Sequence, residues 1–72
     1  MKNNKQFLVR TPAGNVIHIS DDEDFIEIRD RKSNIIKIDI SSGTVLIKTA
    51  NKVLIEAETE VSVKAGIINL NP

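Results

Sequence analysis

Apolar and polar residues alternate along most of the chain from Val16 onward, as expected for β-strands that bury one face. The segments 16–20, 25–29 and 36–40 each place isoleucines on one side and polar side chains on the other. Polar links at 21–24, 30–34 and 41–43 separate these segments. Because no stretch has the period of an amphipathic helix, the pattern predicts an all-β chain.

An eight-residue repeat begins at Gly43 and runs through three blocks, GTVLIKTA (43–50), NKVLIEAE (51–58) and TEVSVKAG (59–66). In each block the third residue is valine, the fifth is isoleucine or valine, and the seventh is small. The sixth is charged, either for ion pairs between chains or simply as a solvated line. The links at 50–52 and 58–60 lack the glycine that tight hairpins require. They therefore predict bends between strands that keep advancing.

Strands that advance in this way need partners for their edges. One chain winding a triangular helix would have too few rungs to cover those edges, whereas three chains wound together pair every strand with a neighbour. The sequence therefore predicts an intertwined homotrimeric triple-stranded β-helix with corners at Gly43 and Gly66. The predicted trimer core comprises Ile17, Ile19, Ile26, Ile28, Ile36, Ile38, Val45, Ile47, Val53, Ile55, Val61 and Val63.

The predicted organisation has four parts. Residues 1–15 form a lead-in strand or linker, residues 16–42 form strands with longer charged links, and residues 43–66 form the octad β-helix. Residues 67–72 form a terminal cap or a truncation point, since Pro72 cannot extend a ladder.

The composition favours association over a stable monomer. The 72 residues include only two aromatic side chains, both phenylalanine, and no cysteine, so neither a disulfide nor a thiolate metal site is possible. A domain of this size is marginally stable alone. Ten basic and ten acidic residues balance, which gives no electrostatic case for binding nucleic acid.

Candidate chemistry is sparse. His18 is the one histidine and thus a candidate metal ligand, but strand alternation turns its side chain away from Ile17 and Ile19, which favours a surface position. The acidic run 21–24 lacks the glycine turn and distal glutamate of a calcium loop. No nucleophile–base pair can be assembled. We therefore expect neither an enzyme nor a bound cofactor.

The stretch from Arg10 to Gly66, with its VLIEA and VSVKA octads, resembles the β-helical spike of contractile tails. That family includes the baseplate assembly protein V and central-spike proteins of contractile-tailed phages and the valine–glycine repeat proteins of type VI secretion. The resemblance assigns the recurrent valine position to Val45, Val53 and Val61. Departures from the family pattern are Asn51 and Thr59, which replace corner glycines.

This resemblance implies a homotrimeric needle that helps to breach the target cell envelope. The implied partners are tail baseplate and tube proteins and a tip-capping protein. The implied location is a virion tail baseplate or an assembled injection particle, after synthesis in the bacterial cytoplasm. Family tips can carry a His-x-His pair that binds iron, whereas this chain offers His18-Ile19-Ser20, with one imidazole.

Two alternatives remain open from the sequence. One is a trimeric fibre stem or trimerisation module, which the residue pattern hardly separates from a spike. The other is a monomeric β-sandwich that binds a partner through its loops. The lack of glycine-rich hairpin turns between the octads counts against the sandwich.

Overall fold

The computed structural model describes residues 5–70 and contains five strands of five residues each. No helix occurs in this range, and the prediction of an all-β chain is confirmed. The strands are β1 (Gln6–Arg10), β2 (Val16–Ser20), β3 (Phe25–Arg29), β4 (Ile35–Asp39) and β5 (Thr44–Lys48).

The five strands form a single antiparallel sheet in which each strand pairs with the next one along the chain. β2 and β3 have the predicted bounds, and β1 lies inside the predicted lead-in. β4 lies one residue earlier than the predicted segment 36–40. The reason is that Ile40 begins the reversal into β5, where its carbonyl oxygen accepts a hydrogen bond from the amide of Gly43 at 3.3 Å.

The register places every inward position of the alternation on one side of the sheet. Residues that lie directly opposite each other in neighbouring strands share a face, and in this sheet they form two apolar rows. We call this side the apolar face and the opposite side the outer face. The rows are Val9-Ile17-Ile28-Ile36-Ile47 and Phe7-Ile19-Ile26-Ile38-Val45.

The sheet is also an internal repeat with a period of nineteen residues. β1, β3 and β5 begin at residues 6, 25 and 44, and β2 and β4 begin at residues 16 and 35. The loops repeat with the strands, because left-handed φ angles of 94° at Gly14 and 72° at Ser33 stand nineteen residues apart. The same holds for 56° at Asp24 and 70° at Gly43. The repeating unit is therefore one strand pair together with its two turns.

At the end of the sheet where β1 turns into β2 and β3 turns into β4, an asparagine follows each left-handed residue. Its side chain accepts a hydrogen bond from the next loop at the same end. The amide of Arg31 donates to Asn15 Oδ1 at 3.3 Å, and nineteen residues later the amide of Ala50 donates to Asn34 Oδ1 at 2.8 Å. These side-chain acceptors satisfy backbone donors just beyond β3 and β5, as asparagine does in many turns.

Beyond β5 the chain is extended but forms no strand. We call residues 51–70 the extended segment. Bends lie at 50–51, at 58–59 and at Gly66, where successive octads meet. The first octad, predicted with the other two as one β-helix, instead supplies β5 to the sheet. Among residues 5–70, no backbone–backbone hydrogen bond involves the extended segment.

Turn chemistry explains why β5 is not followed by another hairpin turn like the two that join β1 to β2 and β3 to β4. A continued repeat would place Gly14 and Ser33 in register with Lys52, and Asn15 and Asn34 in register with Val53. A valine side chain cannot accept a hydrogen bond, and a lysine gains nothing from a left-handed backbone. The outer edge of β5 therefore has no partner strand among residues 5–70.

Candidate assembly interface

No residue in the described range forms a second layer over the apolar face of the sheet. Eight of its ten side chains are at least 39% exposed, and Ile28 at its centre is 49% exposed. Within the described range the only buried apolar residue is Val16, which lies on the other face. The chain alone therefore forms half of a core.

The size of this face sets it apart from ordinary surface. Five residues along each strand and five strands across give about 17 Å by about 24 Å, or roughly 400 Å². Patches of this size on monomers commonly mark interaction sites. Nothing in residues 5–70 covers the patch.

The twelve predicted core residues fall into two groups. Eight lie on the apolar face, where the sheet brings them together in two adjacent rows. The other four lie in the extended segment, and each is more than half exposed: Val53, Ile55, Val61 and Val63. A single chain buries neither group, so their burial in a trimer stays a prediction. Gly43 and Gly66 lie at a left-handed turn and at a bend, respectively.

The two ends of the strands carry opposite charge. One end, which we call the basic edge, has five cations against one carboxylate, a net charge of +4. The other, the acidic edge, has five carboxylates against one lysine, a net charge of −4. The basic edge comprises Arg10, Arg29, Asp30, Arg31, Lys32 and Lys48, and the acidic edge comprises Lys5, Asp21, Asp22, Glu23, Asp24 and Asp39.

The carboxylate at the basic edge is held by its own loop. Asp30 accepts hydrogen bonds from the side-chain amide of Asn34 at 2.8 Å and from the backbone amides of Asn34 and Lys32 at 2.9 Å each. These donors, the Asn34 side chain first, hold the pKa of Asp30 below its ordinary value. At the acidic edge, hydrogen bonds chiefly from Ser41 and then from Ser42 likewise lower the pKa of Asp39.

The outer face carries polar groups that are satisfied within the chain. His18 is half-buried there, with Nε2 2.9 Å from Gln6 Oε1 and its ring edge-on to Phe25. The Lys37 ammonium lies 4.9 Å from the centre of the Phe25 ring, a cation–π contact.

No group of three potential metal-ligating side chains occurs among residues 5–70. In the same range, no helix could cross a membrane. His18 lies opposite Glu27 in the register of β2 and β3, but the two belong to no such group of three in that range.

Sequence reasoning missed the nineteen-residue repeat. Its signal was present in the spacing of isoleucines in the apolar rows and in the Asn15/Asn34 pair, each followed by a β-branched strand. The opposite charges of the two edges were also missed, since they become visible only when the strand directions are known.

Comparison with known proteins adds no further identification: no family model, no curated protein and no solved structure matches this chain.

Proposed function

We propose that this chain is the trimeric, envelope-piercing needle of a contractile phage tail or related injection system, and that it acts mechanically, without catalysis. The observation that carries the proposal is the apolar face, ten side chains in two rows with nothing over them. The sequence resemblance to contractile-tail spikes gives this face its biological setting.

The width of the sheet favours three copies. A triangle with sides of about 17 Å, the length of a five-residue strand, has its centre about 5 Å from each side. That is half of the roughly 10 Å between packed sheets, so three apolar faces fill the interior. Four copies around a square of the same side would leave a distance of about 8.5 Å and a hollow centre.

The extended segment fits the same arrangement. Twenty residues of backbone without intrachain partners are costly to leave unpaired once they are removed from water. In a winding trimer, residues 52–57 of one copy pass below β5 of its neighbour, whose outer edge is open. Pairing there gives hydrogen-bond partners to the backbones of both segments. The antiparallel sheet of one chain then continues into strands that come from different chains.

Such a bundle suits a mechanical task. Each strand lies across the long axis, so backbone hydrogen bonds run along it, and the packed Val and Ile interior resists buckling. Pairing the outer edge of β5 with a neighbouring chain also covers an unpaired strand edge of the kind that promotes aggregation.

Sedimentation equilibrium tests the assembly state without bias from an elongated shape. We expect three times the chain mass of 8.0 kDa. Ile55→Asp in the predicted core is expected to abolish the trimer, whereas Leu54→Asp, one residue away on the alternate side, leaves it intact. A monomer that melts cooperatively would contradict the proposal and favour a binding module.

The location in the particle separates a spike from a fibre stem. We expect an epitope-tagged chain in purified particles to be labelled, in electron micrographs, on the tail axis at the distal end of the tube. Label along lateral fibres would instead identify a stem.

A further inference from the structure

We propose that the basic edge of one sheet docks against the acidic edge of a second copy, so that the copies join head to tail in a closed ring. This inference rests on the trimer proposed above and adds the contact that orients neighbouring copies. A contact between two different patches closes into a ring when the rotation allows it, whereas a contact between identical patches gives a two-fold dimer.

Charge complementarity is the first support. The edges carry net charges of +4 and −4 and lie at opposite ends of the same strands. In the triangular arrangement each sheet meets the next at its strand ends, so every junction brings one edge of each kind together. Joining like edges would place charges of the same sign in contact, which disfavours that pairing.

The charges at both edges are available for such a contact. The two ion pairs found among residues 5–70 join Lys5 to Asp22 and Arg29 to Glu27. The side chains of Arg31 and Lys32 at one edge, and of Asp21 and Glu23 at the other, are exposed and form no hydrogen bond or ion pair within that range.

Shape is the second support, because the apolar face is grooved beside the basic edge. One groove of about 320 Å³ includes Val9, Ile17 and Ile28, and one of about 260 Å³ includes Ile28, Ile36 and Ile47. Every lining residue of the first groove has its counterpart nineteen residues later in the second. The sheet therefore has two equivalent grooves, one centred on β2 and one on β4, at different heights along the proposed three-fold axis.

Residues at the acidic edge match these two heights. β2 ends there before Asp21, and β4 ends there before Ile40, which is 51% exposed. Around a three-fold axis, each height of one sheet meets the same height of the next. The groove centred on β4 of one copy then receives the apolar Ile40 of the next copy. The carboxylate of Asp21 comes to the basic edge of its neighbour at the height of β2.

The test is a set of charge reversals. The first variant carries Arg31→Glu and Lys32→Glu, the second carries Asp21→Lys and Glu23→Lys, and the third carries all four. Because these side chains form no hydrogen bond or ion pair among residues 5–70, and Lys32 acts on Asp30 only through its charge, we expect the reversals to leave the sheet itself intact. The control, Lys37→Glu with Lys64→Glu, makes the same change in net charge as the first variant but lies outside both edges and outside residues 52–57.

Each protein is unfolded in urea, which adds no ionic strength, refolded by dilution, and analysed by sedimentation equilibrium over a range of concentrations. At about 0.01 M salt, where the Debye length is about 30 Å, we expect the first two variants to need at least tenfold more chain for half-maximal trimer. The third variant and the control are expected to match the unmodified chain.

The direction of the salt effect distinguishes a lost edge contact from misfolding, because misfolding would not make trimerisation stronger at high salt. Raising the salt concentration to about 1 M, where the Debye length is about 3 Å, is expected to weaken the unmodified trimer and to strengthen the first two variants. If the first two variants trimerised at the same concentrations as the unmodified chain, the edge contact would be overturned but the trimer proposal would not. Equal loss in the control would also overturn the edge contact, since net charge alone would then suffice. An unmodified chain that is monomeric would overturn both proposals.

Discussion

The sheet and the extended segment have nearly the same alternation of β-branched and polar residues, yet only the sheet pairs its backbone within the chain. β1 to β5 form a continuous antiparallel ladder, whereas residues 51–70 have no backbone–backbone hydrogen bond in the described structure. The difference lies in the turns. Gly14-Asn15 and Ser33-Asn34 reverse the chain, and Lys52-Val53 at the equivalent place does not. Alternation thus favours an extended backbone, and turn chemistry determines whether that backbone pairs within its own chain.

The largest expected effect comes from placing a charge at the centre of the apolar face. Ile28 lies opposite both Ile17 and Ile36, so Ile28→Asp puts three carboxylates around the axis of a trimer. A charge buried without a partner is strongly unfavourable, and we expect at least a hundredfold weaker trimerisation by sedimentation equilibrium. The control is Leu46→Asp on the outer face, where Leu46 is 44% exposed. Equal effects of the two variants would show that the apolar face is not the contact.

Restoring the turn sequence is expected to convert part of the extended segment into sheet. In the variant Lys52→Gly with Val53→Asn, residues 54–58 occupy the places that β2 and β4 hold in the repeat and pair with the outer edge of β5. We expect hydrogen exchange to slow at the amides of 54–58 and the trimer fraction to fall. Lys52→Gly alone adds flexibility without an acceptor and serves as the control. Unchanged exchange in the double variant would show that the turn sequence does not decide the path.

The two loop asparagines give a smaller, graded comparison. Asn34→Ala removes two hydrogen bonds of 2.8 Å, one to Asp30 and one from Ala50. Asn15→Ala removes one of 3.3 Å from Arg31. We expect losses in the free energy of unfolding of about 1–2 kcal/mol and about 0.5 kcal/mol respectively, measured by chemical denaturation. A larger loss for the Asn15 variant would contradict this ranking.

The smallest effect is a dependence on pH. The pKa values of Asp30 and Asp39 are lower in the folded chain than the ordinary 3.8, through hydrogen bonds mainly from Asn34 and Ser41. Depressed pKa values stabilise the fold above the ordinary pKa, and the contribution is lost as the pH falls through the folded value. We expect melting temperatures to be level above about pH 5 and to fall below about 3.8.

The variant Asp30→Asn with Asp39→Asn is expected to flatten this acid slope. Glu58→Gln is the control, because its carboxylate lies outside both edges and accepts no hydrogen bond in the described part of the chain. An unaltered slope in the double variant would assign the acid sensitivity to other groups.

Alternation was sufficient to predict β2, β3 and β4 and the common side of their isoleucines. Ile17, Ile28 and Ile36 were each assigned inward from their own segment, and the register aligns them. The pairing of β5 with β4 was not predicted, because the octad pattern groups Val45 and Ile47 with the later blocks. Period-two patterning is local and does not encode the neighbouring strand. The charged edges depend on strand direction, which the turns determine.

The nineteen-residue repeat separates the length of the sheet from its width. Each unit contributes two strands, or about 10 Å in the direction of the hydrogen bonds, while the five-residue strands keep the cross-section constant. Duplication or loss of one unit would therefore change the length of the sheet in fixed steps without altering its width. The number of nineteen-residue units encoded in the gene would in this sense set the length of the sheet.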